Sequence, residues 1–246
     1  MIAGLLLGRK GSKGFPGKNT QTVMGKPLAW FPITTAKAVR EIDRLFLSTD
    51  DPALIAIAKS LDVEIISRPP HLAGDQALGE DAYVHGYNEI SKRENRDIEF
   101  LVLLFCNAAT VSVQSIQQGI SLLREDPSFD SAVTVSRYNM WSPLRARKLA
   151  DDGSLQPFVP FDLFGDPETL NCDRDSQGDV WFADMGCSVV RPRCLEELED
   201  GLLPQKWMGK KIAPIFQEGG CDIDYEWQVP GVSWWIQNHW DVKTGD

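Results

Sequence analysis

Ile2-Ala3-Gly4-Leu5-Leu6-Leu7-Gly8-Arg9-Lys10-Gly11-Ser12-Lys13-Gly14-Phe15-Pro16-Gly17-Lys18-Asn19 is an apolar run that ends in a basic, glycine-punctuated stretch. A short, uninterrupted apolar run of this kind reads as a strand buried on both faces of a parallel sheet. Ligands of open parallel sheets bind beyond the carboxyl ends of the strands, so the basic stretch falls where a ligand belongs. Its glycines let the backbone turn sharply and approach closely, so that amides can face phosphate oxygens. Arg9 can grip two oxygens at once, while Lys13 and Lys18 act as point charges. The glycines fall at 8, 11, 14 and 17, which fits neither a Walker loop nor a G-x-G-x-x-G dinucleotide fingerprint. The plainer alternative is a surface turn with solvated lysines.

The charge distribution favours the ligand. Arg9, Lys10, Lys13, Lys18, Lys26, Lys37 and Arg40 all precede the first carboxylate, Glu41, in a chain of formal net charge −10. An acidic protein keeps a concentrated positive loop against its own field when a polyanion binds there. The acidic total argues against a nucleic-acid-binding protein, which needs a broad positive surface. Five cysteines, an odd number with no C-x-x-C spacing, predict reduced thiols in place of a disulfide framework or a zinc site. The apolar start is too short for a signal sequence, and no stretch reaches the ~20 apolar residues of a membrane span. A cytoplasmic protein with no membrane partner is expected.

Apolar runs at 2–7, 45–48, 63–66, 100–105 and 131–135 alternate with helical patterns at 28–39, 52–61, 80–93 and 113–123. Asp50 or Asp51 is the expected N-cap of the second helix. This alternation predicts an α/β fold with a mostly parallel sheet covered on both faces. Periodicity fails between 139 and 179, where Pro, Asp and Gly are frequent. We read 1–246 as a single domain, with 139–179 as an arm or insertion. Sheet-like alternation returns at 180–191, and short helices are expected at 194–199 and 231–240.

The opening stretch, continued by Met24-Gly25-Lys26-Pro27-Leu28, resembles the sugar-acid cytidylyltransferases, the acylneuraminate (CMP-sialic acid) synthetases and their relatives. Ser48-Thr49-Asp50-Asp51, then Arg68-Pro69-Pro70-His71-Leu72-Ala73-Gly74-Asp75, then Gly220-Cys221-Asp222-Ile223-Asp224 extend the likeness in the same order. The resemblance implies a Rossmann-like, GT-A-like nucleotidyltransferase fold, a three-layer αβα sandwich with a small extended arm. It further implies a homodimer, Mg2+ as cofactor, and CTP and an acidic sugar as substrates. The anomeric hydroxyl of a 2-keto-3-deoxy sugar acid would attack the α-phosphorus of CTP, and pyrophosphate would leave. Such a reaction needs positioning and charge neutralisation more than covalent chemistry.

By this resemblance Arg9, Lys13 and Lys18 are the catalytic cations. The nucleotide would also meet Leu7, Gly8, Gly11, Ser12, Asn19, Arg68, Asp75 and Asn107. Asp222 and Asp224 would carry the Mg2+, since residues two apart on an extended segment face the same side. Alternatively, Gly219-Gly220 is a plain turn and an aspartate caps the helix after it. The family's Gln-Pro-Thr-Ser-Pro segment is replaced here by Phe105-Cys106-Asn107-Ala108-Ala109, with Asn107 in the place of the threonine. Its later Asn-Gly aligns with Met185-Gly186, and methionine cannot bond a sugar hydroxyl. Candidate acceptor residues are Arg145, Arg174, Asp184 and Gly186, with Arg147 a further candidate for the sugar carboxylate. These departures leave room for another nucleotide or acceptor, or for a nucleotide-binding protein without turnover. His71, His85 and His239 have no triad partners at recognisable spacing. Trp227, Trp234, Trp235 and Trp240 are expected to bury a terminal helix or form a subunit contact.

Overall fold

The computed structural model describes residues 1–11, 14–74 and 76–242. Three candidate site residues, Ser12, Lys13 and Asp75, lie outside the described residues. In chain order the strands are β1 (Ile2–Leu7), β2 (Thr22–Val23), β3 (Lys26–Pro27), β4 (Arg44–Thr49), β5 (Glu64–Ser67), β6 (Phe100–Phe105) and β7 (Ser131–Arg137). They are followed by β8 (Arg147–Leu149), β9 (Leu155–Pro157), β10 (Trp181–Val190) and β11 (Ile212–Gln217). The helices are α1 (Trp30–Ala38), α2 (Pro52–Ser60), α3 (Gly79–Arg93), α4 (Val113–Glu125), α5 (Arg193–Glu196) and α6 (Val229–His239).

Seven strands form one sheet in the order β11-β7-β10-β6-β1-β4-β5. β10 alone runs antiparallel to its neighbours, β6 and β7. Alternate residues of β1 face opposite layers. Ile2 and Leu6 join the core under α1, α2 and α4, whereas Ala3, Leu5 and Leu7 pack with Tyr83 and Ile90 of α3. The result is the expected mostly parallel, three-layer αβα sheet. A third apolar cluster joins Leu28 and Phe31 to Ile223 and to Val232, Trp235 and Ile236 of α6.

Local chemistry explains the boundaries. Asp51, not Asp50, caps α2, accepting from the Ala53 amide at 2.9 Å, and Pro52 sits at the first helical turn, where a missing N–H costs nothing. Ser112 and Ser115 close a capping box on α4. The Asp241 carboxylate also accepts from the Val113 and Gln114 amides at 2.8 and 3.1 Å, placing an anion at the positive end of that helix. β11 had no counterpart in the sequence reading. Pro214 interrupts its pattern, and a proline is tolerated there because β11 is the edge strand.

Residues 139–179 leave the sheet between β7 and β10 as a β8–β9 hairpin and a series of single-turn helices. Asn139 ties the base of this excursion, donating to Asp175 at 2.9 Å and Asp179 at 3.1 Å while its side-chain oxygen accepts from the Val180 amide at 3.0 Å.

Candidate active site

At the carboxyl end of β1 the chain must pass between α2 and β6. Gly8 is required for this passage, because a Cβ there would stand 2.5 Å from Leu54 Cδ1 and 2.7 Å from Cys106 Sγ. The loop beyond it is fastened by its neighbours. The Lys10 amide donates to Asp50 at 2.8 Å, Arg9 Nη1 donates to the Ala73 carbonyl at 3.3 Å, and the Asn19 amide donates to the Arg9 carbonyl at 3.3 Å. Gly17, at φ 73°, supplies the left-handed turn that leads into Lys18.

The Ser48–Asp51 segment after β4 is scaffolding for this loop. Ser48 accepts from Arg68 twice, through its carbonyl at 2.7 Å and its hydroxyl at 3.3 Å. Thr49 Oγ1 accepts from the Asp51 amide at 3.0 Å, while Asp50 holds the Lys10 amide. Arg68 is thereby buried at the floor of the cleft, where desolvation lowers the pKa of its guanidinium. A guanidinium nevertheless stays charged at neutral pH.

The remote Asp222–Asp224 segment folds back onto the basic loop. Lys18 Nζ pairs with Asp224 Oδ1 at 2.5 Å, and a Cβ on Gly14 would lie 2.8 Å from the Asp224 carbonyl. Asn107, just past β6, holds the segment from the other side. Its amide donates to Asp222 Oδ2 and the Ile223 carbonyl, both at 3.0 Å, and its own carbonyl accepts from the Ile223 amide at 2.9 Å. Burial raises the pKa of the Asp222 carboxyl above the usual carboxylate value, and the nearby Asp224 adds to the rise. Lys18 and Asn107 oppose it.

These residues enclose a cleft of about 220 Å3. Leu7, Gly8, Arg9, Gly11, Lys18 and Asn19 come from the first motif, Arg68 from the second, and Asn107 and Asp222 from the far end of the chain. Leu72, Ala77, Leu78 and Gly79 join Phe105 in an apolar wall that the sequence alone did not reveal. Phe105 was the available signal. It stands where the resemblance expects a glutamine, and its ring packs 5.4 Å from that of Tyr83. The cleft can therefore hold a polyanion at its basic side and a flat, partly apolar group against Phe105.

Asp222 also lines a second, larger cavity of about 610 Å3, walled by Tyr138, Met140, Trp141, Phe182, Trp227 and Trp234. Trp227 and Trp234 line this cavity and are 72% and 52% exposed, which departs from burial of a terminal helix and leaves the subunit-contact expectation untouched. Trp235 and Trp240 meet the expectation of burial. Trp235 is buried and donates to the Glu218 carbonyl, and Trp240 packs against Trp30 and Phe31.

Comparison with known proteins identifies the frame. A family model described as cytidylyltransferase matches residues 3–150. The chain belongs to the cytidylyltransferase family. The N-acylneuraminate cytidylyltransferase of Oncorhynchus mykiss is 24% identical over 93% of this chain and 49% of its own length. Its counterpart in Escherichia coli O18:K1:H7 is 26% identical over 65% of this chain and 37% of its own. The 3-deoxy-manno-octulosonate cytidylyltransferase of Oleidesulfovibrio alaskensis is 29% identical over 48% and 52%. The chain thus spans about half the length, or less, of the curated N-acylneuraminate relatives it matches. A solved CMP:2-keto-3-deoxy-manno-octonic acid synthetase complexed with CTP superposes with a TM-score of 0.66 at 14% identity, covering 96% of this chain and 98% of that one. A 4-diphosphocytidyl-2C-methyl-D-erythritol synthase gives 0.65 at 9% identity, with the same coverage. These structural likenesses establish the nucleotidyltransferase fold.

Within this chain the candidate acceptor residues are scattered. Asp184 lines the aromatic cavity but is buried and hydrogen-bonded. Gly186 lies beneath it, where a Cβ would meet the Thr110 carbonyl at 2.7 Å. Arg145 and Arg147 are exposed on the 139–179 arm. Arg174 pairs with Asp175 at 3.4 Å and lines a separate shallow recess with Arg137. None of these three arginines lines the aromatic cavity. Asp222 and Asp224 offer hard carboxylate oxygens in one another's field, a donor set that suits Mg2+ completed by phosphate oxygens and water. Among the described residues no group of three or more His, Cys, Asp or Glu side chains could hold a metal by itself.

Proposed function

We propose that this cytidylyltransferase transfers the cytidylyl group of CTP to a hydroxyl of a sugar acid of the sialic-acid kind, with Mg2+ as cofactor. The observation that carries the reading is the convergence of Arg9, Lys18, Arg68 and the Asp222–Asp224 pair on one cleft at the carboxyl end of a parallel sheet. Arg9, Lys13 and Lys18 would hold the triphosphate, and the loop amides would assist. Asn19 and Arg68 would face the nucleoside, with Phe105 as the apolar surface for the base. Asp222 and Asp224 would hold the Mg2+, which supplies charge neutralisation at the phosphates. The acceptor oxygen forms its bond to the α-phosphorus as the bond to the β-phosphate oxygen breaks, so one CTP and one acceptor give one CMP-sugar, one pyrophosphate and the hydroxyl proton, released to solvent. The cations stabilise charge on the departing pyrophosphate.

The acceptor belongs in the aromatic cavity, because Asp222 is the wall it shares with the nucleotide cleft. Among the described residues that line it there is no Lys or Arg, which favours a second reading of the acceptor: one that presents an uncharged, apolar face to Trp227 and Trp234. The arm exposes Leu149, Leu155, Phe158 and Leu163, and a homodimer covering them is part of the same proposal. The test is product analysis by mass spectrometry with CTP, Mg2+ and a panel of 2-keto-3-deoxy sugar acids alongside neutral sugars. A CMP adduct of one sugar acid supports the reading. Adducts of neutral sugars alone would shift it to the second, and CTP binding with no adduct in a wide panel would leave a nucleotide-binding protein without turnover.

A further inference from the structure

We infer that Asp184 is a positioning residue for Asp222, acting through a buried hydrogen-bond lattice that locks the Gly219–Ile223 turn. The inference rests on the proposed role of Asp222 at the nucleotide phosphates and their metal. β10 slips its register against β7 between Ala183 and Ser188, and Met185 adopts a φ of 64°. This bulge turns the Asp184 side chain under the sheet end, where it is 5% exposed. Its Oδ2 accepts from Ser136 Oγ at 2.6 Å and Gln217 Nε2 at 2.9 Å, and its Oδ1 accepts from the Gly186 amide at 3.1 Å.

Each partner hands the constraint on. Ser136 Oγ accepts from the Gly220 amide at 2.9 Å. Gln217 Nε2 also donates to the Thr110 carbonyl at 3.0 Å, and the Thr110 hydroxyl exchanges hydrogen bonds with both the Cys221 amide and its carbonyl at 2.9 Å. Tyr138 donates to the Gly220 carbonyl at 2.9 Å. The two residues before Asp222 are therefore held at amide and carbonyl alike. A Cβ on Gly220 would stand 2.3 Å from Asp184 Oδ2, so the turn and the carboxylate are built to fit each other.

The chemistry of Asp184 makes its role testable by an isosteric change. Asp184 meets three donors with acceptors only, so the isosteric amide would set an N–H against an N–H or O–H.

The experiment compares wild type with Asp184→Asn, and with Ser136→Ala, which cuts the link to Gly220, in case the first fails to fold. Asp130→Asn is the control. Asp130 also braces a turn, through the Lys210 and Lys211 amides and Arg193, but remote from the cleft. In metal-free protein, amide exchange at residues 217–224 should rise ~10-fold in Asp184→Asn and not in Asp130→Asn. The Mg2+ concentration that half-saturates the tryptophan fluorescence change with CTP present should rise ~10-fold, as for loss of a residue that orients a metal ligand. CTP affinity without metal should hold within about twofold, because its contacts lie elsewhere. An unchanged Mg2+ half-saturation, the same changes in Asp130→Asn, or no Mg2+ response in wild type would each overturn the assignment. If wild type binds Mg2+ and CTP but forms no product, the activity reading falls while the exchange and Mg2+ arms still decide the role of Asp184.

Discussion

Arg68 and Lys18 show two ways for one cleft to keep its charge. Arg68 is buried and held by Ser48, so its position is set before any ligand arrives. Lys18 is paired with an exposed carboxylate, Asp224, an arrangement that can part when a phosphate or a cation offers a better partner. Arg9 donates to the Ala73 carbonyl across the loop. Replacing Arg9 with Ala removes a cation from the phosphates, and turnover should fall by ~10²-fold with the fold intact; unaltered kcat/KM would take Arg9 out of the site. Asp224→Ala should abolish activity or its Mg2+ dependence, and a wild-type Mg2+ titration in that variant would show that Asp222 suffices. The basic loop that carries Arg9 and Lys18 could be read from its charge and its place after an apolar run, whereas Arg68 and the Asp222–Asp224 pair entered only through the family resemblance. The commitment of Asn107 to Asp222 could not be read, because it pairs positions 115 apart in sequence. Neither could the role of Asp184, which depends on a bulge that breaks the two-residue period of β10.

At the scale of elements, helix α6 divides its aromatic residues between core and cavity. Neighbours on a helix point about 100° apart, so Trp235 is buried while Trp234 faces the cavity, and no count of tryptophans reveals that split. Trp234→Ala should raise the acceptor KM by ~10-fold with CTP affinity unchanged; an unchanged acceptor KM would move the acceptor out of the aromatic cavity. The turn between α5 and β11 offers a test of the fold by pH. Burial works to raise the pKa of Asp130, but the Lys211 and Lys210 amides and Arg193 outweigh it and hold the carboxyl below its usual 3.8. A lowered pKa stabilises the folded state above the unfolded value, and that contribution is lost as pH falls through the folded one. Asp130→Asn should therefore cost about 2 kcal/mol of unfolding free energy at neutral pH. The deficit should shrink as pH drops below 3.8, toward the lowered folded pKa. A deficit independent of pH would show that packing, not charge, is what Asp130 supplies. The strands that carry the site were readable because buried parallel strands are continuous apolar runs. β11 was not, since an edge strand tolerates Pro214 and so loses the pattern that marks its neighbours.

The whole molecule sets a positive cleft in a protein of net charge −10, and its fold brings the first and last motifs of the chain to that one place. Family membership and the fold of its neighbours fit this arrangement. The central claim is that the cleft activates CTP for transfer. Its most direct test is pyrophosphate release from each of the four nucleoside triphosphates, with Mg2+ and a mixture of 2-keto-3-deoxy sugar acids, by wild type and by Arg9→Ala. Release with CTP, in excess of the other three and lost in the variant, is the predicted result. Equal release from all four nucleotides, or release that survives Arg9→Ala, would contradict it.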